Sequence, residues 1–332
     1  IESLSTDEKI RMAKACEGAA LGADSRVTNS DGASFSTRVG EFALANSLGF
    51  VGSYPITTVS LMVEAIADDA EGKKRNGYWY SAETSLGRLA DPEEVGRIAA
   101  RRAVDQIGAR KVATTQAPVI FEPDMAVSLV RGLAGCAGGD ALYRGSTFLA
   151  SRKGDAIGSG LVTIVDDPTL AGRFGSEPFD GEGVATRRKL LFDKGRFEGF
   201  LFDCYTARRT GNVTTGNAQR GVESLPSPGA SNLVWEAGTE TPESIIAGVS
   251  SGFYVTSLMG SGFNPTTGDY SRGAGGFWIE NGRIAYPVTE INISGRMDEM
   301  LANVDAVGDD LTWFGSTAAP TVRISRMTIS GT

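Results

Sequence analysis

The chain has 332 residues, 41% hydrophobic and 22% charged, which is enough for two ordinary domains with a well-buried core. Its formal net charge of −8 and pI near 4.9 argue against direct nucleic-acid binding, and the short basic runs Arg187-Arg188-Lys189 and Arg208-Arg209 are too small to reverse that locally. The sequence contains no histidine, which removes Ser-His-Asp triads, Cys-His dyads, HExxH zinc sites and two-His facial triads from this chain together.

Cys16, Cys136 and Cys204 are odd in number and far apart, with no CxxC pair. They fit small buried thiols in a reducing cytoplasm better than a disulfide framework. No apolar run is long enough to cross a bilayer, and no signal peptide opens the chain. The start, Ile1-Glu2-Ser3-Leu4 without Met, reads as a fragment or a processed chain.

The first predicted element is a helix: Ser5 and Glu8 make a capping box, and Ile10, Ala13, Cys16 and Ala20 follow along one face. An antiparallel meander is expected over residues 26–81. Its turns are placed at Asp31-Gly32, Ser47-Leu48-Gly49 and residues 68–72, and Phe35, Thr37, Val39 and Glu41 alternate on one side. A second helix is capped by Asp91, with Pro92 at its first position, Glu94 closing the box and Val95, Ile98, Ala99, Ala103 and Ile107 as the buried stripe. Residues 1–110 therefore read as an α+β domain.

Residues 111–332 read as a β-rich, hairpin-built domain, so the fold class is α+β and largely antiparallel. A short strand is expected at Pro118–Phe121, a helix over about 124–139, and a buried strand at Leu161–Val165 ending at Asp166-Asp167-Pro168. Two hairpins are predicted, one turning at Lys194-Gly195 and one at Asn281-Gly282. The stretch Ser224–Ser231 is the most loop-like and reads as a surface or cleft loop.

Motifs that resemble chemistry have structural readings that are stronger. Gly248-Val249-Ser250-Ser251-Gly252 matches a nucleophile-elbow pattern but follows a helical stretch and has no histidine to serve it, so it reads as a helix end. Cys204 has no base nearby and reads as a small residue at a strand end. The adjacent pairs Asp166-Asp167 and Asp309-Asp310 read as turn and capping residues.

The run from Gly262 to Gly282, GFNPTTGDYSRGAGGFWIENG, is the most distinctive stretch. With Ile284–Val288 and Val307–Leu311 after it, this run closely resembles the C-terminal signature of the PmbA/TldE proteins, the so-called modulators of DNA gyrase. Thr215-Gly216-Asn217-Ala218, Ser227–Leu233, Pro178–Gly183, Thr28–Gly32 and Val162–Pro168 match in the same order, so the resemblance covers nearly the whole chain. Family members carry a further N-terminal stretch, in agreement with the missing Met.

The resemblance implies a metallopeptidase family of two related subunits. The TldD type carries an HExxxH helix whose histidines bind zinc with a later cysteine; the PmbA/TldE type shares the fold but lacks those groups. Here the zinc helix should lie in Leu129–Asp140, which offers neither His nor Glu, and the third ligand near Gly315–Ala319, which has no cysteine. The expectation is a subunit with no catalytic residue, metal or cofactor of its own. It would pair with a TldD-type zinc peptidase subunit and help to hold an extended peptide, with no contact to membrane or nucleic acid. The alternative is a stand-alone homodimeric regulatory protein. Two polar runs are candidates for lining a peptide cavity: Thr215, Gly216 and Asn217 in one, and Asn264, Thr267, Gly268, Asp269, Ser271 and Arg272 in the other. The competing reading makes both tight turns of the β-core.

Overall fold

The computed structural model describes residue 1 and residues 3–331. Two compact units emerge. The first comprises Ile1–Ala43, Ser53–Arg110 and Gly172–Phe174, and the second Leu44–Gly52, Lys111–Ala171 and Gly175–Thr332.

The first unit begins with α1 (Thr6–Gly22), where the Ser5 hydroxyl accepts from the Glu8 N–H and the Glu8 carboxylate accepts from the Ser5 N–H, closing the expected box. Strands β1 (Val27–Ala45), β2 (Val51–Asp68) and β3 (Lys74–Glu83) form a meander, and α2 (Pro92–Val104) follows. Asp91 caps α2 through the Glu93 and Glu94 N–H groups, while the Glu94 carboxylate turns to Arg97. Buried residues alternate along β2 as Leu61, Val63, Ala65 and Ala67, and meet Val95, Ala99 and Ala103 of α2 and Cys16 and Ala20 of α1.

Besides the Glu94 capping box, which does not form, three expectations fail in this unit. Asp31-Gly32 is no turn, because β1 runs straight through it and Gly32 (φ +96°) absorbs a local kink inside a strand paired with the long β2. The turn expected at Ser47-Leu48-Gly49 is present: the chain reverses at Asn46–Phe50, where the Asn46 side chain accepts from the Leu48 and Phe50 N–H groups. The alternation also breaks after Thr37: Val39 and Glu41 are exposed, and Phe42 and Leu44 become the half-buried positions. Ile10 is 47% exposed, so the buried stripe of α1 narrows to Cys16 and Ala20.

Close backbone approach explains two glycines here. A Cβ on Gly96 would stand 2.2 Å from the Cys16 carbonyl, and one on Gly77 would stand 2.1 Å from the Ala99 carbonyl. Both contacts are with backbone, which cannot swing aside. Gly96→Ala should therefore destabilise the protein by about 1–3 kcal/mol. Gly18→Ala, on the exposed side of α1 with nothing within 4 Å, should stabilise it by about 0.5–1 kcal/mol. Denaturant melts of the two variants should shift in opposite directions.

The second unit opens with β4 (Thr115–Phe121), α3 (Pro123–Cys136), α4 (Gly139–Arg144), β5 (Ile164–Asp166), β6 (Lys189–Asp193), β7 (Arg196–Phe197) and α5 (Cys204–Arg209). It continues through β8 (Ala218–Gln219), β9 (Ser227–Pro228), β10 (Leu233–Trp235), α6 (Pro242–Ala247), β11 (Ser251–Met259), β12 (Asp269–Glu280), β13 (Arg283–Arg296) and α7 (Met297–Ala302). The last strands are β14 (Val304–Val307), β15 (Thr312–Phe314), β16 (Thr317–Ala319) and β17 (Val322–Ser330).

These strands build two larger sheets, ordered β15-β16-β10-β5-β6-β7 and β13-β12-β11-β4-β17-β14. A further pairing of β13 with β17 closes β4, β11, β12, β13 and β17 into a ring. Pairing is mostly antiparallel, with β4–β11 and β10–β16 parallel. The β12–β13 turn is the expected tight one, with Asn281 (φ +50°) and Gly282 (φ +75°) both left-handed. Next to it the Gly275-Gly276 pair lets β12 cross β11 closely, since a Cβ on Gly276 would lie 1.9 Å from the Tyr254 carbonyl. Helix α3 packs on both sheets' strands through Leu129, Val130 and Leu133, all buried.

Candidate functional site

Because Leu129, Val130 and Leu133 turn α3 toward the core, its other flank is free to line a cavity. That cavity, about 440 Å³, is walled by Arg131, Ala134, Gly135 and Gly138 of the α3 segment and Asp140 of α4. Leu201, the segment Pro228–Ser231, Leu233, and Ser316-Thr317 at the start of β16 complete it. Arg131 spans the junction: its Nε donates to Thr317 Oγ1 at 3.2 Å and its Nη2 to the Phe314 carbonyl at 2.7 Å. The volume falls in the range of pockets that bury a small ligand.

The Ser231 wall is set by a carboxylate with no exposure at all. Asp166 accepts from the Ser231 N–H at 2.7 Å, the Ser231 hydroxyl at 2.6 Å and Asn217 Nδ2 at 2.8 Å, and Lys189 Nζ lies 3.3 Å away. Burial holds the Lys189 ammonium below the ordinary lysine range, against the pull of Asp166. The reading of Asp166-Asp167 as a turn pair therefore holds only for Asp167, which accepts from the Thr169 N–H and hydroxyl. Asp166 sits in β5 between β10 and β6, where its partners come from three distant segments.

The proposed lining residues fall in two places. Thr215 Oγ1 accepts from the Phe202 N–H at 2.7 Å and donates to Asn217 Oδ1 at 2.8 Å. Gly216 (φ +69°) faces the Ala185 carbonyl, and the nearly buried Asn217 donates to Asp166 and to the Gly229 carbonyl. None of the three lines the 440 Å³ cavity; Asn217 is tied to Gly229 of its wall, and Thr215 lines a separate cavity of about 320 Å³ with Lys153, Arg187 and Lys189. The second run is a turn. Asn264 Oδ1 accepts from the Thr266 N–H, Thr267 donates to Asp269, and the Gly268 N–H bonds the Asn264 carbonyl. Ser271 is exposed on β12, while Arg272 enters a third cavity with Tyr270. Sequence reasoning marked the Leu129–Asp140 and Gly315–Ala319 segments but chose no lining residue from them. Arg131, Asp140 and Thr317 carry no motif that would have singled them out.

Cys204 is the first residue of α5, not a strand end; its N–H bonds the Glu182 carboxylate, and burial, then Glu182, pushes its thiol up to about 11. Cys136 is fully buried with a thiol pushed up to about 12. Gly248 ends α6 and Ser251 begins β11, so the elbow-like motif is a helix-to-strand join. A protein zinc site takes three or four ligands from Cys, His, Asp and Glu, and the donors in the 440 Å³ cavity are one carboxylate, hydroxyls and backbone beside a guanidinium. They do not fit it. Among the described residues, no group of three or more His, Cys, Asp or Glu is placed to hold a metal.

Residues 1–107 match the model of the PmbA/TldA metallopeptidase central domain, and residues 114–331 that of the PmbA/TldA metallopeptidase C-terminal domain. The chain belongs to the PmbA/TldD family. It is similar to the metalloprotease PmbA of Escherichia coli, 37% identical over 328 residues that span 99% of this chain and 71% of the relative. A PmbA homolog of Haemophilus influenzae is 35% identical over the same share of each chain. Among solved structures, a proposed modulator of a DNA gyrase from Thermotoga maritima superposes with a TM-score of 0.92 at 30% identity, covering 99% of this chain and 75% of that one. TldE from Thermococcus kodakarensis shares the fold, with a TM-score of 0.89 at 24% identity over 99% of this chain and 75% of that one. Within the described residues of this family member, no helix is long and apolar enough to cross a membrane.

Two outcomes test the site's construction. Asp166→Asn removes the charge that compensates buried Lys189 and should cost about 3 kcal/mol or more in a denaturant melt. Cys204 alkylation should be slow at pH 8 and accelerate as pH approaches 11, since the reactive thiolate forms only near that value. Iodoacetamide labelling of a Cys16→Ala, Cys136→Ala background reads it out.

Proposed function

We propose that this chain is the non-catalytic PmbA/TldE-type subunit of a zinc metallopeptidase pair, working in the cytoplasm with a TldD-type partner to bind and process extended peptides. One observation carries the reading. The two segments where family resemblance expects the zinc helix and the third ligand, Leu129–Asp140 and Gly315–Ala319, meet at a single cavity. There Arg131 is bonded across to Thr317 and the Phe314 carbonyl, with no imidazole or thiolate in the lining. On this reading the position of the family's metal site is kept and its metal chemistry replaced.

Such a subunit acts by holding substrate. Gly135, with nothing within 4 Å of where a Cβ would stand, lets another backbone approach the wall, and the Ser316 and Thr317 hydroxyls can pair with peptide groups. Recognition through main-chain hydrogen bonds makes little demand on sequence and suits unfolded or extended peptides.

Mixing the full chain with a TldD-type partner should give peptide cleavage at least about tenfold above either protein alone, a difference of about 1.4 kcal/mol in the barrier. The two should co-elute in size-exclusion chromatography. A partner fully active without this chain, or a chain that forms only its own homodimer in the mixture, would overturn the proposal.

A further inference from the structure

The cavity that Arg272 enters, about 340 Å³, borders α3 at Ser128, one turn before Arg131, and is lined by Ser128, Gly260, Ser261, Phe263, Tyr270, Arg272 and Met297. No lining residue carries a carboxylate. Tyr270 and Arg272 are two apart on β12 and so project from the same face. Tyr270 is 3% exposed, yet its hydroxyl meets no hydrogen-bond partner among the described residues; the same is true of the buried Arg272 Nε. Ser128, whose hydroxyl donates to the Met125 carbonyl at 2.7 Å, and Arg272 are the polar groups beside the Tyr270 hydroxyl, yet neither meets it in hydrogen-bond geometry.

Leaving two buried donors unpaired is costly, and native interiors rarely do so. Their convergence on one cavity calls for an acceptor from outside the chain. We propose that this cavity binds a carboxylate group of a peptide, with Arg272 Nε and the Tyr270 hydroxyl as its paired donors. A guanidinium offers Nε and an Nη as a side-on fork that matches the two oxygens of a carboxylate. The phenol remains a donor throughout the neutral range, since burial pushes it up to about 12 despite the neighbouring Arg272 charge. The choice of a peptide as the source rests on the role proposed above; the demand for an acceptor does not.

Calorimetric titration of the full chain, without any partner subunit, tests it with four probes. These are a tripeptide with a free C-terminus, its C-terminal amide, an amidated peptide bearing an internal Glu, and inorganic phosphate. The free acid should bind at least about tenfold more tightly than the amide, the loss expected for a hydrogen-bonded charged group. The Glu peptide shows whether a side-chain carboxylate serves as well as a terminal one. Tyr270→Phe should weaken acid binding by roughly tenfold while leaving the melting temperature equal or higher, because an unpaired buried hydroxyl is removed. Arg272→Gln should weaken it further. Equal binding of acid and amide, indifference to both substitutions, or phosphate binding without carboxylate binding would overturn the proposal. Since no partner subunit is present, those results leave the peptidase pairing untouched, and failure of the pairing leaves this pocket standing.

Discussion

The buried carboxylate of Asp166 is the constraint on which the site depends. A charge with no exposure is tolerable only when fully paired, and Asp166 is paired by Lys189 from β6, Asn217 from one loop and Ser231 from another. Meeting that demand pulls the Thr215–Asn217 and Gly229–Ser231 segments onto β5 and sets one wall of the 440 Å³ cavity. Asn232 continues the tie, donating to the Asp167 carbonyl and to Ser176. The stretch Ser224–Ser231, which read as a surface or cleft loop, is thus partly structural: Leu225 stands in solvent, while Ser231 is buried.

Against that wall stands α3. Arg131 anchors the helix to β16 and to the carbonyl that ends β15. A guanidinium held by two acceptors is a poor neighbour for a divalent cation and a good one for peptide carbonyls or carboxylates. Along the same helix, one turn from Arg131, Ser128 borders the cavity of Tyr270 and Arg272, so one short element lines two polar pockets of different character.

Local signals were legible where the chemistry is local. Asp91-Pro92 started α2, Ser5 and Glu8 started α1, and Asn281-Gly282 turned β12 into β13, because cap and turn preferences act over three or four residues. Asp31-Gly32 carries the same turn signal as Asn281-Gly282, yet β1 continues through it because pairing along β2 outweighs one dipeptide. Asp166 was misread for the same kind of reason: beside Asp167 and Pro168 it looks like a turn, while Lys189, Asn217 and Ser231 lie 23 to 65 residues away. The cavity lining was the least visible. Arg131, Asp140 and Thr317 are ordinary residues in glycine-rich surroundings, and only the tertiary approach of α3 to β16 gives them a common purpose.

The central claim is that this polypeptide keeps the position of a family metal site without the ligands to fill it. Elemental analysis of the purified full-sequence chain, after dialysis against zinc-containing buffer and then zinc-free buffer, tests that most directly. The account predicts far less than one zinc per chain, unchanged by Asp140→Asn. A retained zinc at about one per chain, lost when residues of the 440 Å³ cavity are substituted, would contradict it.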